Sequence, residues 1–190
     1  MRKVAEVKNN DLLILFSGGS DSFLMSEIAL KCRYNPLILF INYEQKMALE
    51  EYDKAFNYVN KYELNFILQP LRLQIDSALT GNKISGKYEN VNENYVPQRN
   101  TMFLSIASSI AENFGIDKIW IGCDWSDNLG EFPDCKQEYI NKFNELLTLS
   151  GSRKIEVECP IMGLTKENVK LILKDFGFDE DEYFSGYGEN

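Results

Sequence analysis

The apolar run Leu12-Leu13-Ile14-Leu15-Phe16 passes without a spacer into Ser17-Gly18-Gly19-Ser20-Asp21-Ser22, and that turn into Phe23-Leu24-Met25-Ser26-Glu27-Ile28-Ala29-Leu30. A short run with an apolar residue at every position is the pattern of a strand covered on both faces. A strand that feeds a glycine-rich turn and then a helix start admits few folds. Two glycines let the backbone approach an anion closely, hydroxyls can hydrogen-bond it, and the N–H groups and dipole of the helix start favour negative charge. The turn is therefore a phosphate-type anion site. It lacks the Gly-Lys-Ser/Thr of a Walker A loop and does not carry the Gly-x-Gly-x-x-Gly dinucleotide fingerprint. The competing reading is a polar strand-to-helix turn in which Ser20 or Asp21 only caps the helix.

The same alternation continues downstream. Leu37-Ile38-Leu39-Phe40-Ile41, entered at Pro36, is a second continuous apolar strand. Leu49, Tyr52, Phe56 and Val59 follow at helical spacing, and Asn65-Phe66-Ile67-Leu68 forms a third strand. Strand–helix alternation predicts an α/β fold, an open parallel sheet with helices on both faces and right-handed crossovers. Ligands in such folds bind at the carboxyl ends of the strands. The pattern fades over residues 69–98, where Thr80-Gly81-Asn82 and Ser85-Gly86-Lys87 form turns. A lid or binding loop and a merely mobile excursion both fit that stretch.

Order returns with a helix beginning near Arg99 and Asn100, with Phe103, Ala107, Ile110, Ala111 and Phe114 on one face and Gly115 at its end. The strand Lys118-Ile119-Trp120-Ile121-Gly122 then opens into Cys123-Asp124-Trp125-Ser126-Asp127, putting Asp124 and Asp127 at the cleft edge as loop caps or as site carboxylates. Trp120 and Trp125 are packing residues. Tyr139, Phe143, Leu146 and Leu147 share a helix face, and residues 154–158 alternate as an edge strand. Thr165 caps a last helix carrying Val169, Ile172, Leu173 and Phe176, with Gly177 as its stop. Asp179-Glu180-Asp181-Glu182 opens a polar, frayed tail over residues 179–190.

The 190 residues suit a single domain over 1–190. No apolar run approaches the roughly 20 residues needed to cross a bilayer, and no signal-peptide core follows Met1-Arg2-Lys3, so a cytoplasmic protein without membrane contact is expected. A net charge of -9 argues against broad nucleic-acid binding and for a small-molecule substrate. The chain has no histidine, which excludes Ser-His-Asp and Cys-His catalysis and histidine-ligated metals. Cys32, Cys123, Cys135 and Cys159 form no Cys-x-x-Cys pair and are expected as free thiols. Cys135 sits in a Pro-Asp-Cys turn and is a buried or binding thiol before it is a nucleophile, since no histidine can activate it.

The turn resembles the Ser-Gly-Gly-x-Asp-Ser loop of PP-loop ATP pyrophosphatases, which cleave ATP between its α and β phosphates. Three further segments, Val96-Pro97-Gln98-Arg99-Asn100 with Phe103-Leu104-Ser105, Pro133-Asp134-Cys135-Lys136-Gln137-Glu138-Tyr139, and Leu164-Thr165-Lys166-Glu167, make the chain similar to the 7-cyano-7-deazaguanine synthase (QueC) family from Asp11 to Phe178. The resemblance implies an adenine nucleotide alpha hydrolase-like, Rossmann-like fold. It also implies an ATP-dependent carbon–nitrogen ligase that turns 7-carboxy-7-deazaguanine, with ammonia, into an amide and then a nitrile. Phe16, Ser17, Gly18, Gly19, Ser20, Asp21, Ser22 and Phe23 would then hold ATP, and Asp21, Arg99 and Lys166 would act in catalysis. Arg99, Asn100, Asp127 and Asp134 would meet the substrate, and magnesium would arrive with ATP near Asp21 or Asp127.

Two departures stand out. The family's Tyr-Gly-Gln-x-His is Tyr43-Glu44-Gln45-Lys46-Met47 here, and Ser185-Gly186-Tyr187-Gly188 stands where the family begins a four-cysteine zinc site, so zinc is not expected. These losses leave two alternatives open: an enzyme that stops at the amide or joins the deazaguanine to a protein amine, and a nucleotide-binding subunit completed by a partner chain. A homodimer would serve the same completing role.

Asp21→Ala separates the two readings of the turn. A group placed at the phosphates is worth about a hundredfold to a thousandfold in rate. A helix cap is worth about 1 kcal/mol of stability with activity kept. We expect the first outcome, read from the melting curve together with substrate-dependent AMP release.

Overall fold

The strand that opens the sequence lies at the centre of the sheet. The computed structural model describes residues 9–72, 95–123 and 132–185. In chain order these residues form β1 (Leu12–Leu15), α1 (Ser20–Lys31), β2 (Pro36–Asn42), α2 (Ala48–Tyr62), β3 (Asn65–Pro70), α3 (Arg99–Phe114), β4 (Lys118–Trp120), α4 (Gln137–Ser150), β5 (Glu156–Glu158) and α5 (Lys166–Asp175). The strands form a five-stranded sheet ordered β3-β2-β1-β4-β5, with every pairing parallel. Leu13 pairs with Leu37 on one side and with Ile119 on the other. Successive strands step outward from β1 to β3, and the chain then returns to place β4 against the free side of β1. The carboxyl ends of β1 and β4 thus flank the topological switch point, where open α/β sheets bind ligands.

Period-two geometry explains the continuous apolar strands. Leu13, Leu15, Leu37, Leu39 and Ile41 face α3 and α4, meeting Leu104, Ala107, Ile140 and Phe143. Leu12, Ile14, Ile38 and Phe40 face the other way, onto Phe23, Met25, Val59, Val169 and Leu173 of α1, α2 and α5. Both faces are covered, as the apolar runs predict.

The helix ends follow local chemistry. Gly115 and Gly177 stop α3 and α5 in the left-handed region at φ 73° and 89°. Thr165 caps α5 in a capping box with Asn168. The α1 N-cap is Gly19, which makes no side-chain cap bond, so Ser20 and Asp21 lie inside the first turn and do not cap it. That removes the purely capping account of the turn.

Other expectations need correction. α2 buries Glu51, Ala55, Tyr58 and Val59 rather than a Leu49/Phe56 stripe; Leu49 is 80% exposed and Phe56 41%. In α4 the inward residues are Ile140, Phe143 and Leu147, and Leu146 is exposed. β3 runs on through Gln69 and Pro70, which pair with Ile41 and Asn42, so the excursion starts later than the pattern suggests. The turns at Thr80-Gly81-Asn82 and Ser85-Gly86-Lys87 lie outside the described residues, as do Asp124, Trp125 and Asp127.

The tail is not frayed over residues 179–185. Tyr183 is buried beside Phe23, Glu182 pairs with Lys61 at 3.0 Å, and Lys54 donates to the Asp181 carbonyl. Partial burial would raise the Glu182 carboxyl, but the Lys61 ammonium and the Asp179 amide hold it below its ordinary value.

Glu44 occupies the left-handed region at φ 62°, and its N–H donates to Asn42 Oδ1 at 3.0 Å. The family's glycine at this place suits that backbone, and this chain keeps the turn with a residue that is strained in it. We expect Glu44→Gly to raise stability by about 1 kcal/mol, because relief of left-handed strain exceeds the added unfolded-state entropy. The urea midpoint measures it.

Candidate active site

A cavity of about 320 Å³ opens at the switch point, within the range of small-molecule pockets. Its floor is the phosphate-type turn. Phe16, Ser17, Gly19, Ser20, Asp21 and Ser22 border it, together with Arg99, Asn100 and Lys166. Residues far apart in the sequence, from β1–α1, α3 and α5, therefore meet at one cleft.

The turn is built by close backbone contact. Gly18 has φ 80°, and a Cβ added there would lie 2.3 Å from the Glu51 carbonyl oxygen, so only glycine fits. Gly18 itself is buried beneath the cleft while Gly19 borders it. Ser22 Oγ donates to the Gly19 carbonyl at 2.7 Å, which ties the hydroxyl to the start of α1. Phe23 does not border the cleft. It is 2% exposed and stacks among Phe16, Tyr58, Phe178 and Tyr183, where it anchors α1.

Two of the three expected catalytic side chains are joined directly. Lys166 Nζ lies 2.6 Å from Asp21 Oδ2, the carboxylate being the more enclosed partner. Gly122 presses on the same place, since a Cβ there would come within 3.2 Å of Asp21 Cβ and 3.1 Å of Met25 Cε. Arg99 stands at the first position of α3 beside Tyr43. Burial raises the Tyr43 hydroxyl above its ordinary range, against the opposing pull of Arg99, so Tyr43 stays a neutral donor.

Asn100 is 6% exposed and fully engaged as a donor. Its Nδ2 reaches the Asp134 carbonyl and Cys135 Sγ, each at 3.2 Å. That leaves its amide oxygen as the group it can offer to a ligand N–H. Asp134, expected at the substrate, also makes a contact within the protein. Its Oδ2 accepts from the Asn100 N–H at 3.1 Å and caps α3, whose own N-cap residue Gln98 is left-handed and makes no side-chain cap bond. Cys135 is buried and positions Asn100, as a binding thiol would. Asp127 lies outside the described residues.

Sequence reasoning missed a second layer. Gln45 Nε2 donates to Glu51 Oε2 at 2.7 Å, and Gln45 Oε1 accepts from the Tyr43 N–H at 3.0 Å; all three residues border the cleft. The Tyr43 and Phe103 rings pack at 5.3 Å as an aromatic wall. The retained Tyr43 and Gln45 of the Tyr43-Glu44-Gln45-Lys46-Met47 segment were the available signal; for Glu51 there was none, because helical periodicity does not mark it as buried. Phe184 and Ser185 also border the cleft, brought there by the docked tail.

Below the cleft, Cys123, Cys135 and Cys159 converge. Cys159 Sγ donates to the Cys123 carbonyl at 3.1 Å and accepts from its N–H at 3.3 Å. The Cys123 neighbour holds the Cys159 thiol below its ordinary value against burial, while hydrogen bonds to both other thiols push Cys123 up. Among the described residues no group of His, Cys, Asp or Glu is arranged to hold a metal ion.

The arrangement offers amide donors and two cations to an anion, an acceptor to an N–H, and an aromatic wall to a flat ring. A family described as "Queuosine biosynthesis protein QueC" matches residues 11–190. The chain is 36% identical to the 7-cyano-7-deazaguanine synthase of Rickettsia canadensis, with 93% of this chain and 84% of that protein aligned. It is 34% identical to the enzyme of the same name from Prochlorococcus marinus subsp. pastoris, over 97% and 88%. Its fold is similar to the NH3-dependent NAD synthetase of Campylobacter jejuni, TM-score 0.57 at 17% identity over 95% of this chain and 69% of that one. It is likewise similar to the U34-tRNA thiolase NcsA of Methanococcus maripaludis, TM-score 0.58 at 16% identity over 92% and 61%.

Asp134→Ala should cost about 1 kcal/mol of stability, the ordinary worth of a helix cap, and Asp134→Asn should restore most of it by keeping an acceptor. Urea denaturation reads the outcome. Unchanged stability with a raised KM for the carboxylate substrate would return Asp134 to substrate binding.

Proposed function

The chain belongs to the QueC family, and from that premise we propose that it is an ATP-dependent carbon–nitrogen ligase of the 7-cyano-7-deazaguanine synthase type. It activates the carboxylate of 7-carboxy-7-deazaguanine with ATP and converts it, with ammonia, to the nitrile. The observation that carries this reading is the meeting of the phosphate-type turn, Arg99, Asn100 and Lys166 around one cavity at the switch point.

The chemistry suits residues that position and neutralise rather than react. A carboxylate oxygen attacks the α phosphorus, pyrophosphate departs, and AMP becomes the leaving group that ammonia displaces to form the amide. A second ATP activates the amide oxygen in the same way. Loss of AMP and of the nitrogen-bound protons then leaves the nitrile. The turn from Ser17 to Ser22 supplies amides and hydroxyls to the departing pyrophosphate, and its charge is met by Lys166 and Arg99. Lys166 is held ready by Asp21 at 2.6 Å, so phosphate binding exchanges one anion for another at the same ammonium. Asn100 offers its oxygen to an N–H of the purine-like base or of the incoming nitrogen. Tyr43 and Phe103 flank a flat ring.

Magnesium belongs to this reading through ATP. Asp21 is the carboxylate of the turn and would hold the ion or its water, lowering the charge on the phosphates. Zinc is left out of this reading, because Ser185-Gly186-Tyr187-Gly188 carries no cysteine. Among the described residues no helix is long and apolar enough to cross a membrane. A reaction that consumes ATP, on a chain whose cysteines are free thiols, fits a cytoplasmic setting.

Incubation of the chain with ATP, magnesium, ammonia and 7-carboxy-7-deazaguanine is expected to release AMP and pyrophosphate in step with nitrile formation, followed by mass spectrometry. Folded protein that forms no substrate-dependent AMP would remove the reading.

A further inference from the structure

The docked tail touches the phosphate turn through the backbone of Phe184. The Phe184 N–H donates to the Gly18 carbonyl at 2.8 Å, and Gly19 and Phe184 form a parallel bridge. The peptide linking Gly18 to Gly19 is trans, since the described chain has no cis bonds. In a trans peptide the C=O and the following N–H point in opposite directions. Holding the Gly18 carbonyl toward the tail therefore turns the Gly19 N–H the other way, toward Ser17 Oγ, which it meets at 3.4 Å. Ser17 is exposed and borders the cleft. A bond that long is weak and readily exchanged for one to a phosphate oxygen.

From this geometry we infer that the Phe184 backbone amide is a positioning group: it fixes the Gly18–Gly19 peptide so that the Gly19 N–H is aimed at the pyrophosphate of ATP. The inference rests on the reading of the turn as the ATP phosphate site. Gly18 and Gly19 carry no side chain to hold the peptide plane, and glycine backbones rotate more freely than others. Some outside contact has to fix the plane, and Phe184 is placed to do so. Its own position is set on the amino side by Tyr183, which is 3% exposed in the core, and by the Lys61–Glu182 pair. The side chain of Phe184 is not needed for this role; its N–H is.

The test compares substitutions in the full chain. Phe184→Ala keeps the N–H and should bind ATP within about threefold of the parent protein. Phe184→Pro lacks the N–H and should bind ATP and inorganic pyrophosphate about tenfold more weakly, the worth of one well-placed hydrogen bond to a charged group. Adenosine, which has no phosphate, should bind both variants alike, and a general loosening of the cleft would not spare it. Proline also restricts Tyr183, so a full chain in which an ester replaces the Tyr183–Phe184 amide serves as the second donor-free variant and decides the matter if Phe184→Pro is unfolded. Calorimetric titration with each of the three ligands, beside the urea midpoint, reads all of this. ATP and pyrophosphate binding at parental strength without the N–H, or equal losses in Phe184→Ala, overturns the inference. A parent chain that fails to bind ATP overturns the reading of the turn itself. A parent that binds ATP without making AMP loses only the activity, and the affinity comparison still decides.

Discussion

The site depends on a contact between two backbones. Gly18 lies so close to the Glu51 carbonyl that a single added carbon would overlap it, at 2.3 Å. This contact seats the β1–α1 turn on the first turn of α2, which lets α1 begin at Gly19 with no side chain across its end. An anion site made of main-chain amides needs such an uncovered helix start. Gly122 repeats the device on the other side of the switch point, where β4 ends against Asp21 and Met25. Close contacts at these two glycines, one with the Glu51 backbone and one with the Asp21 and Met25 side chains, shape the floor of the cleft.

The electrostatics are arranged around that floor. In a chain with nine more acidic than basic residues, the cations at the cleft are few and already engaged: Lys166 with Asp21, Arg99 beside Tyr43. Such pairs keep each cation in place at the cleft, Lys166 on the turn itself through Asp21. They also give way at little cost when a phosphate offers more charge than a carboxylate or a phenol.

The parts of this design that were legible in the sequence are those ruled by local physics. The strands at Leu12 and Pro36 declared themselves by unbroken apolar runs, and Thr165, Gly115 and Gly177 marked helix ends through capping and left-handed geometry. What was hidden depends on contacts between distant segments. The sequence neighbourhood of Asp134 does not show that it caps α3 across the fold. Helical periodicity also cannot anticipate a buried carboxylate such as Glu51, held by Gln45. Leu49 and Phe56 looked inward because their spacing is helical, yet the face of α2 that is buried carries Glu51, Ala55, Tyr58 and Val59. The acidic run from Asp179 to Glu182 looked frayed, though Lys54 and Lys61 of α2 are placed to receive it.

The order of strands also sets a schedule for assembly. β1 finds its first neighbour as soon as α1 and β2 exist, but β4, its other neighbour, emerges only after α3. On a ribosome, the half-sheet β1–β3 must therefore wait with one apolar face, carrying Leu13, Leu39 and Ile41, bare until Leu104 and Ala107 arrive to cover it. Delayed closure of distant parallel strands slows folding and exposes the nascent chain to aggregation. The same sheet order that creates a crevice for ligand thus leaves the newborn chain with an apolar face to keep from aggregating until α3 is made.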